Sequence, residues 1–218
     1  MSTSSSCTGD IPDGWRDCTR PEALPIIGTE WSVYQEQVVP TFEKLVADGR
    51  IGAWGITAAS CLEADRLALS MHPRPQVAQC VSNVLDSPGS MRLARETPNP
   101  RAVIRAAQEN GVGVMGIRAA SSGSLCGAID RPVAPDSIEQ REFDRAAGFR
   151  SLANELGTDP AVLAHRYALD LEGVDTVVLG VKNRTELQQC VEAAAAPPLD
   201  PELIARIDAT VGDGVAKH

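Results

Sequence analysis

Few groups in this chain of 218 residues have both the type and the spacing to do chemistry. Gly180, Lys182 and Asn183 fall where an apolar run ends and Asn183-x-x-Glu186 opens a helix. A helix start offers unpaired N–H groups and the positive end of its dipole, so this corner can hold an anion. Asn83 and Asp86 lie on another loop that follows an apolar run. They are polar enough for a functional role, with loop capping as the alternative. Proton-handling groups are scarce. Tyr34 and Tyr167 are the only tyrosines. Tyr167 sits mid-helix in AHRYALD, where packing is expected. Tyr34 has no Lys or His close in sequence to lower its pKa. His72, at a helix end, and His165, within a helix, read as surface or helix-packing residues. Ser121-Ser122-Gly123-Ser124 lacks the GxSxG frame of a nucleophile elbow. The six cysteines contain no CxxC pair and no Cys/His spacing suited to zinc, so free, buried or half-buried thiols are expected.

The bulk properties narrow the field further. A net charge of −9 argues against general affinity for nucleic acid or for an anionic membrane. No apolar run reaches the roughly 20 residues a membrane helix needs. The N-terminus lacks an apolar signal core, so a cytoplasmic location is expected.

Four segments must position these groups: Arg50–Thr57, Gln76–Val81, Val112–Arg118 and Asp175–Gly180. Each is a short apolar run, followed by a loop and then a helical pattern. Both faces of such strands are expected to be covered. Helix starts are marked at Pro40, Ser60, Asn99, Asp136, Asp159, Asn183 and Asp200. The helix from Asp136 is expected to run unbroken to Gly157. Ordered structure is expected from near Val38, with residues 1–32 a flexible arm and residues 33–218 the folded unit. Strands alternating with amphipathic helices mean an α/β protein with a parallel sheet. Four such units are half of a closed eight-stranded β/α barrel, whose function lies in the loops after the strands. The two end strands of a half barrel need covering or pairing, so a homodimer or a complementary half-barrel partner is expected.

Those four strand-loop stretches, in this order, resemble the aldo-keto reductases. RIGAWGIT is similar to the family's "GKIRxxGVSN" stretch and QVAQCVSNVLD to "QVxYNLLD". GVGVMGIRAASSGSLCG is similar to "GVGVIAxxPLAxGxLxG", and TVVLGVKNRTELQQC to "TVIPGARNPEQLEEN". The likeness runs from about residue 38 to 212 and implies the C-terminal half of a TIM-type barrel.

The resemblance implies an extended nicotinamide dinucleotide over the strand ends. The family's pair for the nicotinamide carboxamide falls on Thr57 and Ala58, and its Gln on Gln79. The residue that stacks on the nicotinamide falls on Ile117. Arg118 and the loop Ala119–Gly127 would lie beside the pyrophosphate, with Gly123 and Gly127 allowing close backbone approach. The family's Arg for the adenosine 2′-phosphate becomes Lys182, and Asn183 is retained. Its Gln becomes Glu186, a like charge near any phosphate, and its adenine-binding Asn becomes Cys190. Lys182 with Arg184 favours NADP over NAD. The family's catalytic Asp, Tyr, Lys and His precede the matched region, and no catalytic residue is assigned here. The expectation is therefore an aldo-keto reductase-like oxidoreductase that keeps part of the cofactor cradle and acts, if active, on a small carbonyl substrate. The alternative is a non-catalytic interaction protein that pairs through its open strand edges.

Overall fold

The computed structural model describes residues 29, 31–59, 62–91 and 97–211. The expected arm, Cys7, Cys18, Cys61 and the Ser60 cap fall almost entirely outside them. Four strands form one parallel sheet in the order β1-β2-β3-β4. They are β1 (Gly55–Thr57), β2 (Val77–Val81), β3 (Gly113–Ile117) and β4 (Thr176–Val177). Each lies inside its predicted segment but is shorter: the register runs only from Gly55 to Thr57 in β1 and from Thr176 to Val177 in β4, with single backbone bonds beyond it at Trp54 and Val178. This is the α/β, partial-barrel architecture that the repeat predicts.

The register sets the two faces of the sheet. Thr57 pairs with Gln79, Gln79 with Met115, and Met115 with Thr176. This row lies on one face, and alternation puts Ala78, Cys80 and Val114 on the other. The second face carries the core. There Leu69, Ile104, Phe149, Leu163 and Tyr167 are buried to within 2%. Full burial of such side chains stabilises by about 1.5–3 kcal/mol each. Burial and the nearby Asp65 push the Cys80 thiol up to about 12, which suits an inert core cysteine. The first face is open among the described residues: Thr57 and Thr176 are exposed, Gln79 and Met115 half-buried. The expectation that both faces are covered thus fails on this side.

Eight helices flank the sheet among the described residues: α1 (Val39–Ala47), α2 (Leu62–Ser70), α3 (Pro100–Glu109), α4 (Ile138–Arg145), α5 (Ala147–Glu155), α6 (Pro160–Asp170), α7 (Arg184–Ala195) and α8 (Pro201–Ala209). Helical backbone begins upstream of Val38, with a short turn at Trp31–Val33 and a π-helical turn at Tyr34–Val38. Asn99, Asp159, Asn183 and Asp200 each accept a backbone N–H as N-caps, as their spacing predicts. The helix predicted from Asp136 differs in two ways. Ser137 is its cap, and the helix breaks at Ala146, whose ψ is 8°. No Gly or Pro marks that break. It lets Arg150 bond the Ser124 and Phe143 carbonyls at 3.1 and 2.7 Å, with its guanidinium 3.6 Å above the Phe143 ring.

Candidate functional site

The loops after the four strands form the end of the sheet where a β/α fold carries function. The loop after β2 is buried throughout from Ser82 to Gly89. A buried loop must satisfy its own polar groups, and Asn83 does much of this. Its Nδ2 donates to the Ser87 and Arg118 carbonyls, each at 3.0 Å, and its Oδ1 accepts from the Ser87 N–H at 3.3 Å. Asp86 accepts from Arg101 Nε, whose N–H is shared between Oδ1 at 3.0 Å and Oδ2 at 2.9 Å. Arg101 Nη2 also donates to Asp208 Oδ1 at 3.0 Å, and the Tyr167 hydroxyl donates to that oxygen at 2.5 Å. Asn83 and Asp86 are therefore structural: they staple loops and helices together. Tyr167 packs as expected, with its hydroxyl anchored in a buried network.

The loop after β3 is strained. Arg118, Ser121 and Ser122 have φ of 64°, 45° and 56°. Non-glycine residues in this region cost about 1–3 kcal/mol each and cluster at functional sites. Gly123, at φ 97°, meets the same turn without a side-chain penalty. Gly116 is required for a different reason: an added Cβ would lie 2.4 Å from Ser82 Oγ. Glu142, buried on α4, closes the back of this loop by accepting from Ser121 Oγ at 2.9 Å and from Ser87 Oγ. Arg118 is less well provided. Its Nε and Nη2 are buried with no acceptor among the described residues. Burial lowers its pKa while Glu142 and Glu139 raise it. An arginine so placed is short of an anion.

Between this loop and the β4 loop runs a cleft of about 720 Å³. Five predicted residues line it together: Arg118, Gly123, Gly180, Lys182 and Glu186. Gly127 also lines it, and the space around Gly127 and Gly180 is open. Asn183 stands behind the wall as the α7 cap, accepting from the Glu186 N–H at 2.9 Å. Glu186 answers it, accepting from Asn183 Nδ2 at 2.9 Å and from the Lys182 N–H at 2.8 Å. This is a reciprocal capping box. The Lys182 ammonium forms an ion pair with Asp130.

Thr57 and Gln79 lie elsewhere, in a shallower hollow of about 400 Å³ on the open sheet face. Thr57 Oγ1 donates to Gln79 Oε1 at 3.1 Å, and Gln79 Nε2 lies 3.7 Å from Met115 Sδ. Ala58 points into the core at 1% exposure. Ile117, half-buried, ends β3 on the open face. The structure thus gathers the expected pyrophosphate and adenosine residues in one place and the expected carboxamide residues in another.

Asp130, Arg131, Asp159, Cys126 and Gln189 line the cleft without having been picked out as site residues. Asp159 was legible only as a helix cap. His165, read as a surface or helix-packing residue, packs α6 against α7 and also lines the cleft. Its Nδ1 lies 3.4 Å from Cys190 Sγ, and Cys190 is buried rather than open to a ligand. Neither tyrosine lines the cleft. Burial pushes the Tyr34 phenol up to about 12 and raises that of Tyr167 as well. No group of three or more His, Cys, Asp or Glu among the described residues could hold a metal ion. No helix among them is long and apolar enough to cross a membrane.

A parallel sheet in sequential order, with its core on one face and a cleft at its strand ends, is the architecture of a partial β/α barrel. Within that class, the sequence profile of the Aldo/keto reductase family matches residues 12–211, and the chain belongs to this family. The match reaches further upstream than the four strand motifs do. Comparison with curated proteins gives no match. Membership makes the chain an oxidoreductase-type protein, and its relatives generally bind NAD(P)H.

Proposed function

We propose that this chain is the dinucleotide-holding part of a carbonyl oxidoreductase, with the cofactor lying in the cleft between the β3 and β4 loops. The observation that carries this reading is Arg118: two buried donors lack acceptors beside a cleft whose opposite wall is the α7 N-terminus. The residues present fit the group. Arg118 and Arg131 would hold the pyrophosphate, and Gly123 and Gly180 let the backbone approach it. Lys182, Asn183 and Glu186 stand at the adenosine end. Gln79 and Thr57 would orient the carboxamide, and Ile117 gives an aliphatic platform. When bound, the dinucleotide supplies a hydride donor for a small carbonyl substrate. The expected preference for NADP rests on Lys182 and Arg184, but Lys182 is already paired with Asp130.

Carbonyl reduction also needs a proton donor of matched pKa within hydrogen-bond reach. Both tyrosines stand away from the cleft with raised pKa values, so neither serves as that donor. The donor would come from a second polypeptide, a complementary half barrel or another copy, covering the open sheet face. A second reading, a non-catalytic interaction protein, draws on Ala58, which presents a buried methyl where the family has an amide.

Calorimetric titration of the purified chain with NADH and NADPH, followed by an aldehyde turnover assay, separates these readings. Binding without turnover is the expected result. Undetectable binding of either dinucleotide favours the interaction protein. Robust turnover by the homogeneous chain overturns the absence of a proton donor.

A further inference from the structure

The adenosine end of the cleft is acidic. Asp130, Asp159 and Glu186 line it; Lys182 and Arg131 both approach Asp130, Arg131 at 3.7 Å, and Arg118 stands on the β3 loop. Asp159 and Glu186 both line the cleft with Cys126 and His165. Arg184, the second cation the sequence offers, is exposed and outside the cleft lining. Lys182 is paired with Asp130, which Arg131 also approaches.

The α7 N-terminus, an anion site on spacing alone, is filled by its own side chain. Glu186 Oε2 takes the Lys182 N–H at 2.8 Å, and Oε1 takes Asn183 Nδ2 at 2.9 Å. A 2′-phosphate there would displace a carboxylate from its donors or stand beside it as a like charge. Both are unfavourable. A hydroxyl meets no such conflict, because each carboxylate oxygen keeps a second lone pair to accept it.

Resting on the dinucleotide reading above, we propose that Glu186 makes this cleft selective for a nicotinamide dinucleotide with a free adenosine 2′-hydroxyl, NAD(H), over its 2′-phosphorylated form. Glu186 is the specificity-determining residue: its carboxylate accepts the ribose hydroxyl and repels the phosphate. Asp130 supports it by holding Lys182 away from any phosphate.

The test is parallel calorimetric titration of the whole chain with NADH and NADPH. Wild type is expected to bind NADH more tightly by at least about tenfold, the scale of one unfavourable charge contact. Glu186→Gln keeps the capping box, since glutamine serves there too. Its far-UV circular dichroism and urea midpoint should stay close to wild type, and the NADH-to-NADPH affinity ratio should fall to within about threefold. Asp130→Asn, which frees Lys182, should tighten NADPH and leave NADH unchanged. Wild type preferring NADPH, or a ratio unmoved by a folded Glu186→Gln, overturns the selectivity and leaves the dinucleotide reading standing. Failure of both dinucleotides to bind overturns that reading and the selectivity with it.

Discussion

The imidazole of His165 lies 3.4 Å from the Cys190 thiol and lines the cleft with Asp159 and Glu186. Burial depresses its pKa below the usual 6.5, and Asp159 and Glu186 only partly offset this. A base whose folded pKa is depressed binds fewer protons folded than unfolded. Its contribution to stability is therefore complete above 6.5 and is lost as the pH falls through the folded value. Urea midpoints measured at about pH 5 and about pH 7.5 should differ in that direction. His165→Gln, which cannot charge, should reduce the difference. A steeper dependence in the variant would exclude His165 as the source. At this scale the sequence is informative where a residue acts alone and silent where it acts through a partner. Lys182 and Glu186 were legible as site residues. That Lys182 pairs with Asp130, across 52 positions of chain, depends on a loop path that no local pattern encodes. Cys190 was legible as a buried thiol, but not that it would pack against His165, 25 residues earlier.

Caps and breaks decide the elements. The four caps that the spacing marks correctly are all Asn or Asp directly before a helix, where the side-chain oxygen reaches the second or third N–H by local geometry alone. Such signals need no tertiary context. Asn99→Ala should therefore cost about 1 kcal/mol, read as a lower urea midpoint at unchanged slope. A change in slope would mean that the folded state itself had loosened. The break between α4 and α5 is the opposite case. The apolar positions run on through Phe143, Phe149 and Leu152, and nothing in the pattern stops there. Packing stops it, because Glu142 turns into the loops while Arg150 folds back onto Phe143. The strand ends are blurred for a related reason: apolar residues continue past the last paired residue, as at Val178 beyond β4.

Among the described residues, the molecule presents one covered sheet face and one open one. The row Thr57, Gln79, Met115 and Thr176 faces outward, and β1 and β4 each pair on one side only among the described residues. Exposed edges template further pairing unless they are charged or covered. Light scattering of the purified chain should give a mass above the 23.1 kDa of one copy. Thr176→Lys, a charge on an exposed edge position, should return it to the monomer mass with stability within about 0.5 kcal/mol of wild type. A monomer at the outset leaves a different polypeptide as the cover for that face. The repeat of four units foretold the sheet order and its parallel sense. It could not foretell that the open face would remain bare, since strands covered on one side or on both can share an apolar composition.

The Asn83 carboxamide links the β2 loop to Arg118, 35 positions away. Surface loops ordinarily drift in length as sequences diverge, because a longer excursion costs little. The Ser82–Gly89 loop has lost that freedom. One residue more or fewer between Asn83 and Ser87 would withdraw both ends of the staple and release Arg118 from its strained backbone. Insertions in descendants of this chain should therefore accumulate beyond Ser124, where the loop is tied only by single contacts, and should spare the turn between Asn83 and Gly89.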